Sequence, residues 1–371
     1  MVNIYQYLVD YLKYSPTIIQ LAWAMSIIFT LIIIGLTLYL NYLRKRLRVK
    51  ERIQKTYQKK YEGDLIEYLY SGNEEDPDNI SHEQQLIITY LKKCAQDSLK
   101  RKIIISTLLK LRAEISGETA DAIQKLYYQT GLINYAASKL KHKKWEVIAK
   151  GIKELAQFEI KEVHKDIILH INHPKKEVRK EIQMYLVKLF HFEGLDFLDL
   201  LTTPLSEWDQ IQLLEILQNF ENQKIPDISR WLNSTNKTVA LFALKLAKIY
   251  SQFEAKDEII ALLNHSDITI RIEAIEVLSH MGVVEAVGIL KNDLSERTLE
   301  EQIAFFKMME NLHDNDDASF ILQFINNENF DIKVSVMKIL KVINVDDDSN
   351  TFKIITTDKE FTGSINLIKA S

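Results

Sequence analysis

The side chains best suited to chemistry in this sequence are nine histidines and a single cysteine, Cys94. The densest histidine group is His164, His170 and His173. Six residues of α-helix turn through about 600°, so His164 and His170 point about 240° apart and do not face one metal ion. They read as surface and turn histidines. Cys94 lies in LKKCAQD, where Lys92 and Lys93 favour a thiolate, but no base accompanies it and it reads as a packing residue. One cysteine also excludes an intramolecular disulfide framework and a Cys-rich zinc site. Gly-rich phosphate loops, G-x-S-x-G and H-E-x-x-H are all missing from the sequence. The acids are many, yet no pair is set apart as general acid and general base. The expectation is a protein that is not an enzyme, with no catalytic residue, no cofactor, no metal and no small-molecule substrate.

The elements that carry these residues follow from composition. Gly 10 and Pro 5 in 371 residues is about a third of the usual share, too few for the turns of sandwiches, barrels or doubly wound sheets. A mostly helical chain is expected. A pI near 6.2 argues against a dedicated nucleic-acid binder.

The net charge of −4 conceals two unlike regions. Residues 1–62 hold ten Lys/Arg and three acids, a balance of +7, and the rest of the chain stands at −11. No charge occurs from Tyr14 to Leu43, and the 23 residues Ile18 to Leu40 read IIQLAWAMSIIFTLIIIGLTLYL. As a helix they rise about 35 Å, enough to cross a hydrocarbon core of about 30 Å. Ser15 and Pro16 suit its start, and Trp23, Tyr39 and Tyr42 suit the interfacial belts. A cleaved signal peptide fits poorly, because a basic leader and a small-residue cleavage site are both missing. Arg44, Lys45, Arg46, Arg48, Lys50 and Arg52 follow the span, against Lys13 alone before it. The positive-inside rule puts the N-terminus outside and all that follows in the cytoplasm, with the basic run meeting anionic headgroups. Ile4, Leu8, Tyr11 and Leu12 share a face on which residues 2–14 can lie in the outer interface. Ala22, Ser26 and Thr30 make a small-residue stripe through which two spans can pair as a homodimer.

Beyond the span, helical phrases recur: 175–190, 236–250, 266–282 and 330–343. Taking the middle apolar residue as a register gives Gly151, Ile182, Leu213, Ala243, Ala274, Phe305 and Val336, spaced by 31, 31, 30, 31, 31 and 31 residues. Ala122 extends the series. A shorter apolar helix precedes each phrase, with turns at His173–Pro174, Asn233–Ser234, His265–Ser266 and Asn326–Asn327. Such helix pairs bury their apolar stripes only by stacking. Trp145, Trp208 and Trp231 read as packing between repeats.

On Asp267, Ile270, Arg271, Ala274 and Leu278 the sequence resembles the HEAT-repeat family. Val178, Arg179, Ile182 and Leu186 match in part, as do Ile332, Lys333, Val336 and Leu340. The units at 205–220 and 295–312 lack the acid and the Arg and rest on register alone. The resemblance implies an all-α fold, a right-handed α-solenoid. Its period, about 31 residues by the register, is shorter than the roughly 40–47 of larger repeats of this class, so compact units with tight turns are expected. The expected order is a short extracytoplasmic terminus (1–16), a transmembrane helix (17–42), a basic helical stalk (43–63), the solenoid (64–343) and a tail or cap (344–371). Residues 71–80 read as an acidic loop.

Second helices of such repeats line a concave face. Two residues after the register stand Lys153, Met184, Glu215, Lys245, Glu276, Lys307 and Lys338, the expected protein-binding row. The function these features favour is a non-catalytic scaffold of the cytoplasmic membrane that binds a partner protein. Two other classes stay open: an accessory subunit of a membrane-bound enzyme such as an envelope-polysaccharide glycosyltransferase, and a HEAT-like lyase, glycosylase or nucleic-acid binder. Ile-, Lys- and Asn-rich usage points to an AT-rich bacterial genome.

Overall fold

The computed structural model describes residues 11, 13, 14, 16–71, 80–115, 117–220 and 225–343. The expectations for an interfacial helix at 2–14, for the Ser15 cap, for most of the acidic loop and for the tail at 344–371 lie outside the described residues. Those described hold seventeen α-helices and six 3-10 segments, with no strand among them. The fold is all-α. The chain divides into two units, Met1–Ser138 and Lys139–Ser371.

In the first unit, α1 runs unbroken over 54 residues, Thr17–Tyr70. The helix is long and apolar enough to cross a membrane, and its apolar window is 0% buried. At its far end Tyr61, Leu65 and Tyr68 are buried against α2 (His82–Cys94) and α3 (Ser98–Glu114). Ser81 and Gln84 start α2 with a reciprocal capping box. Asp97 caps α3 by accepting from the Leu99 and Lys100 N–H groups. Tyr68 donates to Gln129 at 3.1 Å, fastening α1 to α4 (Glu118–Gln129). There Ala122 is only half-buried. The core positions of α4 are Ile123, Leu126 and Tyr127 instead. The next helix, α5 (Leu132–Leu140), contains the division at Ser138.

The second unit alternates long and short helices. The long ones are α6 (Trp145–Gln157), α8 (Lys176–Phe190), α9 (Glu207–Leu217), α11 (Lys237–Tyr250), α13 (Ile268–Met281), α15 (Leu299–Leu312) and α17 (Phe330–Val342). Between them lie α7 (His164–Ile168), α10 (Ser229–Leu232), α12 (Lys256–Ala261), α14 (Val284–Asn292) and α16 (Ala318–Leu322). Before α9 the short helix is replaced by a 3-10 run, His191–Leu200. That run crosses α8 at Gly194, where a Cβ would overlap the Leu186 carbonyl, so glycine permits the approach. Successive long helices pack on one another, α6 on α8, α11 on α13, α13 on α15 and α15 on α17. Gly151, Ile182, Leu213, Ala243, Ala274, Phe305 and Val336 are all buried, one on each long helix. Trp231 is buried, but Trp208 is 62% exposed, contrary to the packing role expected of it. It stands five residues before Leu213, about 140° round the helix from the buried side.

Candidate functional site

The outward face of the long helices is set by how each one starts. The His173 Nδ1 accepts from the Lys175 N–H at 3.1 Å, and the His265 Nδ1 from the Asp267 N–H at 3.0 Å. His142 does the same for Lys144 at 3.0 Å, and Ser234 and Asn327 take this place before α11 and α17. These turns are closed as Asx and ST turns are, by a side chain bonding the backbone two residues on. Arg179 then donates to the His173 and Pro174 carbonyls, and Arg271 to those of His265 and Ser266. Arg101 of α3 donates to the Ala95 carbonyl with the same six-residue offset. Asp97 and Arg101 repeat the four-residue spacing of Asp267 and Arg271, a signal present in the sequence outside the 31-residue register.

Lateral bonds hold the long helices level. Lys237 pairs with Asp267 at 2.8 Å, Lys248 with Glu276 at 3.5 Å and Lys338 with Glu310 at 3.1 Å. The firmest link is Arg271 to Glu301, with bonds of 2.7 and 3.0 Å from Nε and Nη2. Glu301 is 1% exposed, accepts from the Thr298 hydroxyl and N–H and also meets Arg297. Burial pushes its carboxyl up, but the hydrogen bonds from Arg271 and Thr298 outweigh burial and hold it down to about 2. In this unit Thr298 and Glu301 form the capping box that replaces the missing acid.

On this frame the expected row is uneven. Lys153, Glu215, Glu276, Lys307 and Lys338 are exposed, whereas Met184 and Lys245 are half-buried. Lys245 donates to Gln210 on α9 at 2.9 Å. Beside the row, burial pushes the Glu273 carboxyl up and the neighbouring Glu276 carboxylate adds to that. Burial also raises Glu181, against the pull of Lys153 and Lys180. Three of the row's charged groups, Lys245, Glu276 and Lys338, are thus taken up in bonds between helices.

A second set of positions on the same face is apolar. Two residues before the register stand Ile211, Leu241, Ile272, Ile303 and Val334; one turn earlier stand Ile268, Leu299 and Phe330. Ile211 is 53%, Leu299 48% and Phe330 60% exposed. They share the spacing of the charged row, and that periodicity was the signal that could have revealed them.

The histidine group is not drawn into one centre. His164 lines a cleft of about 210 Å3 with Phe190, Glu193, Asp196 and Phe197, Asp196 being engaged by Arg230 at 2.5 Å. Among the described residues no three of His, Cys, Asp or Glu are grouped as metal ligands. Cys94 is buried. In the basic run Arg44, Lys45, Arg46, Arg48, Lys50 and Arg52 are all exposed.

No protein-family model matches the chain, and no curated protein matches it. Solved structures that resemble it include two engineered proteins. One is 16% identical, covering 76% of this chain and 88% of its own, with a TM-score of 0.33. The other is 13% identical over 69% and 96%, with a TM-score of 0.23. Human deoxyhypusine hydroxylase in complex with glycerol is 12% identical over 78% and 97%, with a TM-score of 0.28. At these values the likenesses carry no functional inference.

Proposed function

We propose that the chain is a single-span membrane protein whose cytoplasmic part is a right-handed, HEAT-like α-solenoid. Its function is to hold a partner protein at the membrane as a non-catalytic scaffold. The observation that carries this reading is α1. Its apolar stretch is unburied, and the same helix runs on through an exposed basic segment to end in the packed residues Tyr61, Leu65 and Tyr68. A core helix hides its apolar side chains and a cleaved leader does not continue into a core, so a membrane is the solvent this helix fits. The solenoid reading is supported by buried register residues, recurring turn bonds and level lateral pairs. The domain limits expected from the sequence and the cytoplasmic side given by the basic flank belong to the same proposal. Tethering raises local concentration, so that weak surface contacts suffice to hold a partner.

Chemical cross-linking in membranes followed by affinity purification of the full chain tests the scaffold. A recurrent protein partner above the background of an unrelated single-span protein is expected, and its absence sinks the reading. If that partner is an envelope-polysaccharide glycosyltransferase, the chain is an accessory subunit of it.

A further inference from the structure

The apolar positions on α13, α15 and α17 form i, i+4 pairs: Ile268 with Ile272, Leu299 with Ile303, and Phe330 with Val334. Arg271–Glu301 and Glu310–Lys338 hold the three helices level, so the pairs lie side by side as one band. Half-buried and exposed apolar side chains in a continuous strip mark an interaction surface rather than scattered surface residues. Charge is distributed unequally beside it. Toward the helix ends, Lys248–Glu276 and Lys338–Glu310 are closed pairs, and Lys307, one turn beyond Ile303, is an exposed cation. At the helix starts, Glu300 and Asp331 directly follow Leu299 and Phe330 and are exposed. Neither carboxylate is paired with a cation among the described residues.

We propose that this band is the partner's seat, and that the occupant is an amphipathic helix of a partner protein with Lys or Arg beside its apolar stripe. The proposal rests on the scaffold reading and deepens it, moving the contact from the charged row to the band. Packed helices lie about 8–10 Å apart, and one heptad of α-helix rises about 10.5 Å. An occupant crossing the band therefore meets one long helix per heptad, with apolar residues at i, i+7 and i+14 on the three pairs. Basic residues on its flank reach Glu300 and Asp331, and the net charge of −11 over residues 63–371 favours that sign over the opposite one.

The test uses the full chain in phosphatidylcholine nanodiscs and a fluorescent amphipathic peptide of Leu and Lys with Leu at heptad spacing. Its Glu-for-Lys counterpart and empty nanodiscs are the controls, and anisotropy is the readout. The Lys peptide is expected to bind and the Glu peptide not. L299S/F330S should weaken binding at least tenfold, and both side chains are exposed, so an unchanged melting curve verifies the fold. E300K/D331K should weaken the Lys peptide and admit the Glu peptide. Equal binding of both peptides, or unchanged binding by L299S/F330S, overturns the proposal. In cells, a photo-cross-linking residue at position 299 or 330 should capture a partner segment in which apolar residues recur at helical spacing with Lys or Arg beside them. Cross-links from there to a second copy or to residues 344–371 of the same chain overturn it. A partner caught from position 307 but from neither band position overturns the band and leaves the scaffold standing. Capture from none of the three removes both.

Discussion

Glu301 concentrates more of the second unit's bonding than any other side chain on its face. Its carboxylate is buried between Arg271 and Arg297 and closes the start of α15. Removing it leaves Arg271 without its carboxylate, while Arg297 keeps Asp293, and Glu301→Ala should cost about 3 kcal/mol in urea unfolding. Its carboxyl titrates near 4.5 when free and near 2 in the fold. The stabilisation is therefore complete above pH 4.5 and is lost as pH falls toward 2, on the order of 3 kcal/mol in all. Wild-type stability should drop over that window more than that of Glu301→Gln. At the turns, His265→Ala should cost about 1 kcal/mol by removing an acceptor for the Asp267 N–H. His265→Asn should be nearly neutral, because Asn327 performs the same task before α17. A full cost for Asn would show that the imidazole acts otherwise.

At the scale of elements, the register position decides how near two long helices come. Ala274 is 0% exposed on α13, which packs against both α11 and α15. Ala274→Leu forces extra volume into that contact and should cost about 1–3 kcal/mol, with a lowered melting temperature. Lys307→Ala, on the outward face of the next long helix, should stay within about 0.5 kcal/mol. Much of this was legible in the sequence, since residues spaced by 31 report which side of each helix is covered. What was not legible is the use of the opposite side. Trp208 looked like packing by its residue type but faces outward, and Ala122 fits the spacing while its neighbour Ile123 takes the core position. Residue type states what a side chain would gain from burial; its angle around the helix decides whether it is buried.

For the whole molecule, the sharpest test concerns the membrane. Lys307→Cys in a Cys94→Ala background provides an exposed thiol, whereas the native Cys94 is buried and is a poor reporter of sidedness. An impermeant maleimide should label position 307 only after permeabilisation, and labelling of intact cells contradicts the cytoplasmic orientation. Phe29→Lys, near the middle of the apolar stretch, should cost insertion about 3 kcal/mol and shift protein from the membrane to the soluble fraction.

The sequence alone determined the helical class, the apolar span, the basic flank and the repeating register, because each depends on residue type and spacing along one helix. It also marked His173 and His265 as turn residues, since a turn is local. The tertiary structure decided what depends on neighbours distant in sequence: that Arg271 finds Glu301, and that Glu276 and Lys338 spend their charges on adjacent helices. It decided equally that, of the apolar pairs thirty-one residues apart, Leu299 and Phe330 stay exposed while Ile268, Ile272, Ile303 and Val334 are half-buried, since only packing sets what each helix face is left to meet.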